Sequence, residues 1–139
     1  MYKKTVKYTD YNGNERSEDF YFNLTKAEMA EMELTFDGGS LGAYLEDIVK
    51  SNRNGEMYLF FKDFVLKAYG KKSEDGRRFI KNAELREEFE QSAAFSELMY
   101  ELATNENATV EMFTYTIPED VRNMVDEQQA HNRQTVAPS

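Results

Sequence analysis

YKKTVKYTDYNGNERSEDFYFNL, residues 2–24, decides whether this chain carries a sheet. Tyr2, Val6 and Tyr8 share one parity, as do Phe20, Phe22 and Leu24, which is the period-2 signal of two half-buried strands. Asp10-Tyr11-Asn12-Gly13 lies between them and invites an Asn-Gly turn of two residues. That loop pairs positions summing to 25, sets Val6 opposite Asp19 and throws the two apolar stripes onto opposite faces. A three-residue loop, Tyr11–Gly13, keeps even residues against even residues and fits a type I turn, with Asp10 first and Gly13 left-handed in a G1 bulge. The spacing therefore predicts a bulged antiparallel hairpin.

Helices follow. Thr25 and Glu28 form a capping box: the Thr hydroxyl takes the N3 amide and the carboxylate reaches back to the cap amide, opening a short helix to about Leu34. Asp37-Gly38-Gly39-Ser40 breaks it, and Ser40 caps a second helix whose Leu41, Tyr44, Leu45, Ile48 and Val49 make one apolar stripe. After the turn cluster Ser51–Gly55, Met57 to Tyr69 is apolar on nearly every side, with Gly70 placed as the residue after the C-cap. Lys71 to Arg78 reads as a solvated turn. Asn82 then caps a long final helix to about Asn105, with Leu85, Phe89, Ala93, Phe95, Leu98, Met99 and Leu102 on its buried face. Val110 to Ile117 has strand-like residues and is closed by Pro118. The expected architecture is α+β: an N-terminal antiparallel hairpin on a bundle of about four helices, one domain over residues 1–118, and a polar, mobile tail over 119–139.

The 139 residues include nine Tyr and ten Phe, enough to build a core. Seventeen basic against 26 acidic residues leave a formal charge of −9, so the summed field repels nucleic acid and anionic lipid. Without Cys there is neither disulfide nor thiolate chemistry, in keeping with a reducing compartment. Met1-Tyr2-Lys3-Lys4 turns polar at once and no apolar run reaches membrane-spanning length, which predicts neither export nor insertion.

No catalytic, cofactor-binding or metal-binding set emerges. The lone His131 falls in the predicted tail, where a triad or metal site lacks a rigid frame. Glu97 and Glu101 are one turn apart on a surface face, with no environment to split two pKa values. Asp37–Ser40 lacks the phosphate-loop pattern and reads as turn plus cap. The features that point to binding are aromatic and basic. Helical spacing of about 100° per residue sends Phe60 and Phe61 in different directions, so Phe60, Phe61, Phe64 and Tyr69 cannot all enter one core stripe. Those left over make an apolar surface for a partner helix. Lys71, Lys72, Arg77 and Arg78, with Lys81, are the local exception to an acidic chain and fit an acidic protein surface.

The same residues carry a family likeness. Phe60 to Gly70, then Lys72 to Lys81, then Phe95-Ser96-Glu97-Leu98 and Glu101-Leu102-Ala103, together with the hairpin leading into Phe22 to Glu28, resemble the tail assembly chaperones of long-tailed, siphovirus-type phages and prophages of Gram-positive bacteria over residues 2–118. The resemblance implies a cofactor-free, non-enzymatic protein of the bacterial host cytoplasm that binds the tape measure protein and assists assembly of the tail tube, whose subunits are further candidate partners. It leaves open a structural tail component retained in the virion, a general interaction module, and association of the chain with itself.

Overall fold

The first hairpin forms as the parity of its side chains requires. In the computed structural model, which describes residues 1–35 and 54–118, β1 (Tyr2–Thr9) pairs antiparallel with β2 (Glu15–Phe22), Val6 opposite Glu18 and Tyr2 opposite Phe22. The Gly13 amide donates to the Asp10 carbonyl at 3.0 Å, the Asp10 amide to the Asn14 carbonyl at 2.9 Å, and Gly13 sits at φ 86°. This is the expected three-residue loop with its bulge. The Asp10 carboxylate fastens it by accepting the amides of Asn12 and Asn14, each at 2.9 Å, and the Arg16 guanidinium at 2.6 Å. The Arg16 bond first, then the Asn14 amide, hold that carboxyl below its ordinary range.

Helix α1 (Lys26–Thr35) starts at the capping box: the Glu28 amide donates to the Thr25 hydroxyl at 3.1 Å and the Thr25 amide to the Glu28 carboxylate at 3.0 Å. The Asp37–Ser40 turn, the helix expected after Ser40, most of the Ser51–Gly55 turn, the tail and His131 lie outside the described residues. Helix α2 (Asn54–Ala68) carries the aromatic run.

The end of α2 departs from the expectation. Gly70 is no left-handed cap; Tyr69–Lys72 is strand β3, pairing with β2 through Phe22 opposite Tyr69 and Tyr21 opposite Gly70. The positive-φ glycines among the described residues are Gly13 and Gly76. Position 70 needs glycine because the next strand lies over it: a Cβ there would stand 2.6 Å from the Phe79 ring and 2.7 Å from the Ile80 carbonyl. That strand, β4 (Phe79–Ile80), pairs with β3 through Lys71 opposite Ile80 and Lys72 opposite Phe79, so the supposed solvated turn is a second hairpin. Together the strands form one sheet in the order β1-β2-β3-β4.

The long final helix is also interrupted. Asn82 caps α3 (Ala83–Glu90) through its side chain and the Leu85 amide at 2.8 Å, but Ser92 begins a new helix, α4 (Ala93–Thr104). One hydroxyl makes the break: Ser92 Oγ donates to the Phe89 carbonyl at 2.6 Å and accepts the Phe95 amide at 3.2 Å. In a straight helix positions 89 and 95 would point about 120° apart. The break brings their rings to 5.3 Å, edge to face, so both serve one core.

Residues 110–117 are helical rather than extended. Asn105 caps α5 (Glu106–Thr116), accepting the Ala108 amide at 3.2 Å, and Ala108, Met112 and Thr116 recur at helical spacing as its buried face. β-Branched composition concealed that period. The core lies between one face of the sheet, with Val6 and Phe22, and the helices, with Met29, Phe64, Val65, Phe89, Leu98, Leu102 and Met112. The α+β class holds, with five helices among the described residues.

Candidate protein-binding surface

The aromatic run and the basic run, adjacent in sequence, part in space. On α2, Phe60, Phe64, Val65 and Ala68 are buried and Phe61 is half-buried, while Leu59, Asp63 and Lys67, spaced by four, form the exposed ridge. The Phe61 ring meets Phe60 edge to face at 5.4 Å and Phe113 at 6.3 Å, and Phe64 meets Phe113 at 5.2 Å, so these rings fasten α2 to α5. Tyr69 stacks on Phe89 at 4.2 Å and lies 6.0 Å from Phe22, joining β3, α3 and β2. Burial first, then the charges of Glu88 and Glu18, push its hydroxyl above the ordinary tyrosine value. Phe60, Phe64 and Tyr69 thus pack inside, and the apolar surface of α2 is led by Leu59 and Tyr58, with the half-buried Met57, Phe61 and Leu66 adding to it.

The second hairpin carries Lys71, Lys72, Arg77 and Arg78 outward, all exposed. Its turn is held by its own side chains: Ser73 Oγ donates to the Asp75 carboxylate at 2.7 Å and accepts the Arg78 amide at 3.0 Å, and the Arg77 amide donates to Asp75 at 3.0 Å. The Ser73 hydrogen bond, then the Arg77 amide, depress the Asp75 carboxyl. Lys72 Nζ stands 5.0 Å over the Tyr21 ring. Lys81 turns the other way: its Nζ donates to the Asn23 carbonyl and the Glu28 carboxylate, each at 2.7 Å, and so clamps the end of β4 to the start of α1. Burial raises the Glu28 pKa, but the Lys81 bond and the Thr25 amide outweigh it and leave the carboxyl below its ordinary value.

Glu97 is exposed, whereas Glu101 is paired with Lys4 at 2.9 Å, and among the described residues no cluster of His, Cys, Asp or Glu could hold a metal ion. No helix among them is long and apolar enough to cross a membrane. Near the first hairpin turn, Lys7, Tyr8, Arg16, Ser17 and Glu97 border an open groove of about 500 Å³ with mixed charges.

Sequence reasoning missed three exposed apolar side chains. Tyr100 on α4 is 70 % exposed, and Val110 and Tyr115 on α5 are 57 % and 50 % exposed. Tyr100 was findable as a large ring opposite the Leu98–Leu102 stripe; the other two were hidden once 110–117 read as a strand. Exposed rings and a basic hairpin are the candidate contacts that this α+β scaffold offers another protein. The model of the phage tail assembly chaperone family matches residues 1–139, and the chain belongs to that family. Neither a curated protein nor a solved structure matches it.

Proposed function

We propose that this chain is a non-enzymatic chaperone that binds the tape measure protein in the host cytoplasm and holds it soluble while the tail tube assembles around it. The whole-chain family match carries this reading, because assembly of a tail requires protein partners. A long helical client exposes apolar stripes before its tube exists, and an acidic cover of charge −9 adds repulsion between the covered complexes. Contacts are made by Leu59 and Phe61 on α2 and by Lys71, Lys72, Arg77 and Arg78, with Phe60, Phe64 and Tyr69 setting the geometry of both from within. Occupancy follows mass action, so many weak contacts give way as tube subunits compete.

Co-expression with the cognate tape measure protein tests the proposal. Soluble client should rise with the wild type and less with Arg77→Glu/Arg78→Glu; no gain with the wild type overturns it. Mass spectrometry of purified tails should find the chain absent, whereas stoichiometric retention would assign it to the virion instead.

A further inference from the structure

Among the described residues the sheet ends in a long strand with one side unpaired. Among the described residues β1 pairs with β2 and with no other strand. The bond from the Asp10 amide to the Asn14 carbonyl fixes the phase of the ladder. Bonded and non-bonded pairs alternate in an antiparallel ladder, so Tyr2, Lys4, Val6 and Tyr8 direct their peptide groups toward β2. Lys3, Thr5, Lys7 and Thr9 direct theirs outward, and their side chains are exposed on the sheet face away from the core. No proline interrupts this edge, and β1 holds Lys3, Lys4 and Lys7 with no acidic residue in a chain of net charge −9.

The opposite face of β1 has another chemistry. Tyr2 and Tyr8 are half-buried against the core, and Lys4 is engaged by Glu101. Carboxylates approach from the helices: Glu97 borders the groove beside Tyr8, and Glu111 acts on Tyr2, whose hydroxyl is pushed up by burial first and by Glu111 next.

We propose that the β1 edge accepts an extended segment of another protein as a fifth strand, and that this segment alternates acidic residues facing Lys3 and Lys7 with apolar residues facing Tyr2 and Tyr8. Main-chain hydrogen bonds supply affinity and the two faces supply selection. Acids on the helix side would meet Glu97, Glu101 and Glu111, so the alternation is required rather than a general negative charge. A second copy of the chain is a poorer occupant, because antiparallel β1–β1 pairing centred on Thr5 sets Lys3 opposite Lys7 at both ends and supplies no acid to either. Nucleic acid is repelled by the net charge. The chaperone reading stands whether or not this edge is used, and the test needs no phage protein.

A synthetic peptide of alternating Val and Glu, about nine residues long to span the strand, is titrated into the isotope-labelled full chain, beside a counterpart with Lys in place of Glu. Amide shifts and slowed hydrogen exchange should centre on Lys3, Thr5, Lys7 and Thr9, with the Lys peptide binding far more weakly. Thr5→Pro removes one outward amide and keeps the main-chain ladder to β2 but also loses the hydroxyl bond to Asp19 at 2.6 Å; it should weaken the Val-Glu peptide about tenfold, whereas Thr5→Val, which loses only that bond, should not. Lys3→Glu/Lys7→Glu should invert the preference between the peptides. Equal binding of both peptides, shifts centred on Arg77 and Arg78, undiminished binding by Thr5→Pro, or no binding at millimolar peptide would each overturn the proposal.

Discussion

The two hairpins of this molecule share a turn and differ in everything else. Asp10-Tyr11-Asn12-Gly13 and Ser73-Glu74-Asp75-Gly76 each close with the fourth amide bonded to the first carbonyl at 3.0 Å, a first-position side chain that accepts amides, and a glycine at positive φ, 86° and 73°. The first joins strands of eight residues each, the second strands of four and two. Long strands give the first hairpin a face to bury; the second is held at its base and presents charge at its tip. One turn chemistry therefore serves both a wall of the core and a protruding charged tip.

The sharpest way to break this contrast is to truncate one ring from each hairpin. Phe22, fully buried on β2, should cost about 3–5 kcal/mol when changed to Ala. Phe79, half-buried on β4, should cost only about 1–2 kcal/mol. Denaturant melts of the two variants measure the difference, and equal losses would show that the second hairpin belongs to the core after all. Next in size is Gly70→Ala, which drives a methyl against the Phe79 ring and the Ile80 carbonyl and should cost about 1–3 kcal/mol. Hydrogen exchange should then rise across β3 and β4 while β1 and β2 stay protected.

Gly13→Ala and Gly76→Ala test the shared half of the comparison. Each places a Cβ at left-handed φ with open space around it, so each should cost about 1 kcal/mol, from strain alone. A large inequality would mean the turns are not one device. The smallest effect concerns the clamp between Lys81 and Glu28. Because the Glu28 pKa is lowered by folding, its contribution is present above the unfolded value of 4.5 and is lost as pH falls through the folded one. Melts in this acid range should show a shallower pH slope for Glu28→Gln, by about 1 kcal/mol or less.

What could be read beforehand follows the same contrast. The first hairpin was legible to the register because alternation over eight-residue strands leaves one pairing that keeps Val6 and Phe22 on a common face. The second kept its Ser-x-Asp-Gly turn in plain view, but strands of four and two residues carry no period, and Gly70 before lysines mimicked a helix cap. The Ser92 break was hidden for a related reason: the apolar stripe runs on across it, and only the meeting of Phe89 with Phe95 shows why the axis must turn. For the candidate surface, exposure of Lys71, Lys72, Arg77 and Arg78 follows from their charge. The burial of Phe60, Phe64 and Tyr69 depends on what α5, β2 and α3 bring to them, which spacing along α2 does not encode.

Asn105 ends α4 by donating its amide to the Glu101 carbonyl at 2.8 Å and begins α5 by capping it, so the joint between the two helices is a single residue. An elbow of that kind has no slack. One inserted amino acid beside it would spin α5 by about 100°, carry Phe113 off the Phe61 and Phe64 rings and turn Met112 out of the core. The chain length here is therefore set to the residue, and variants that lengthen or shorten it should lose the α2–α5 seam.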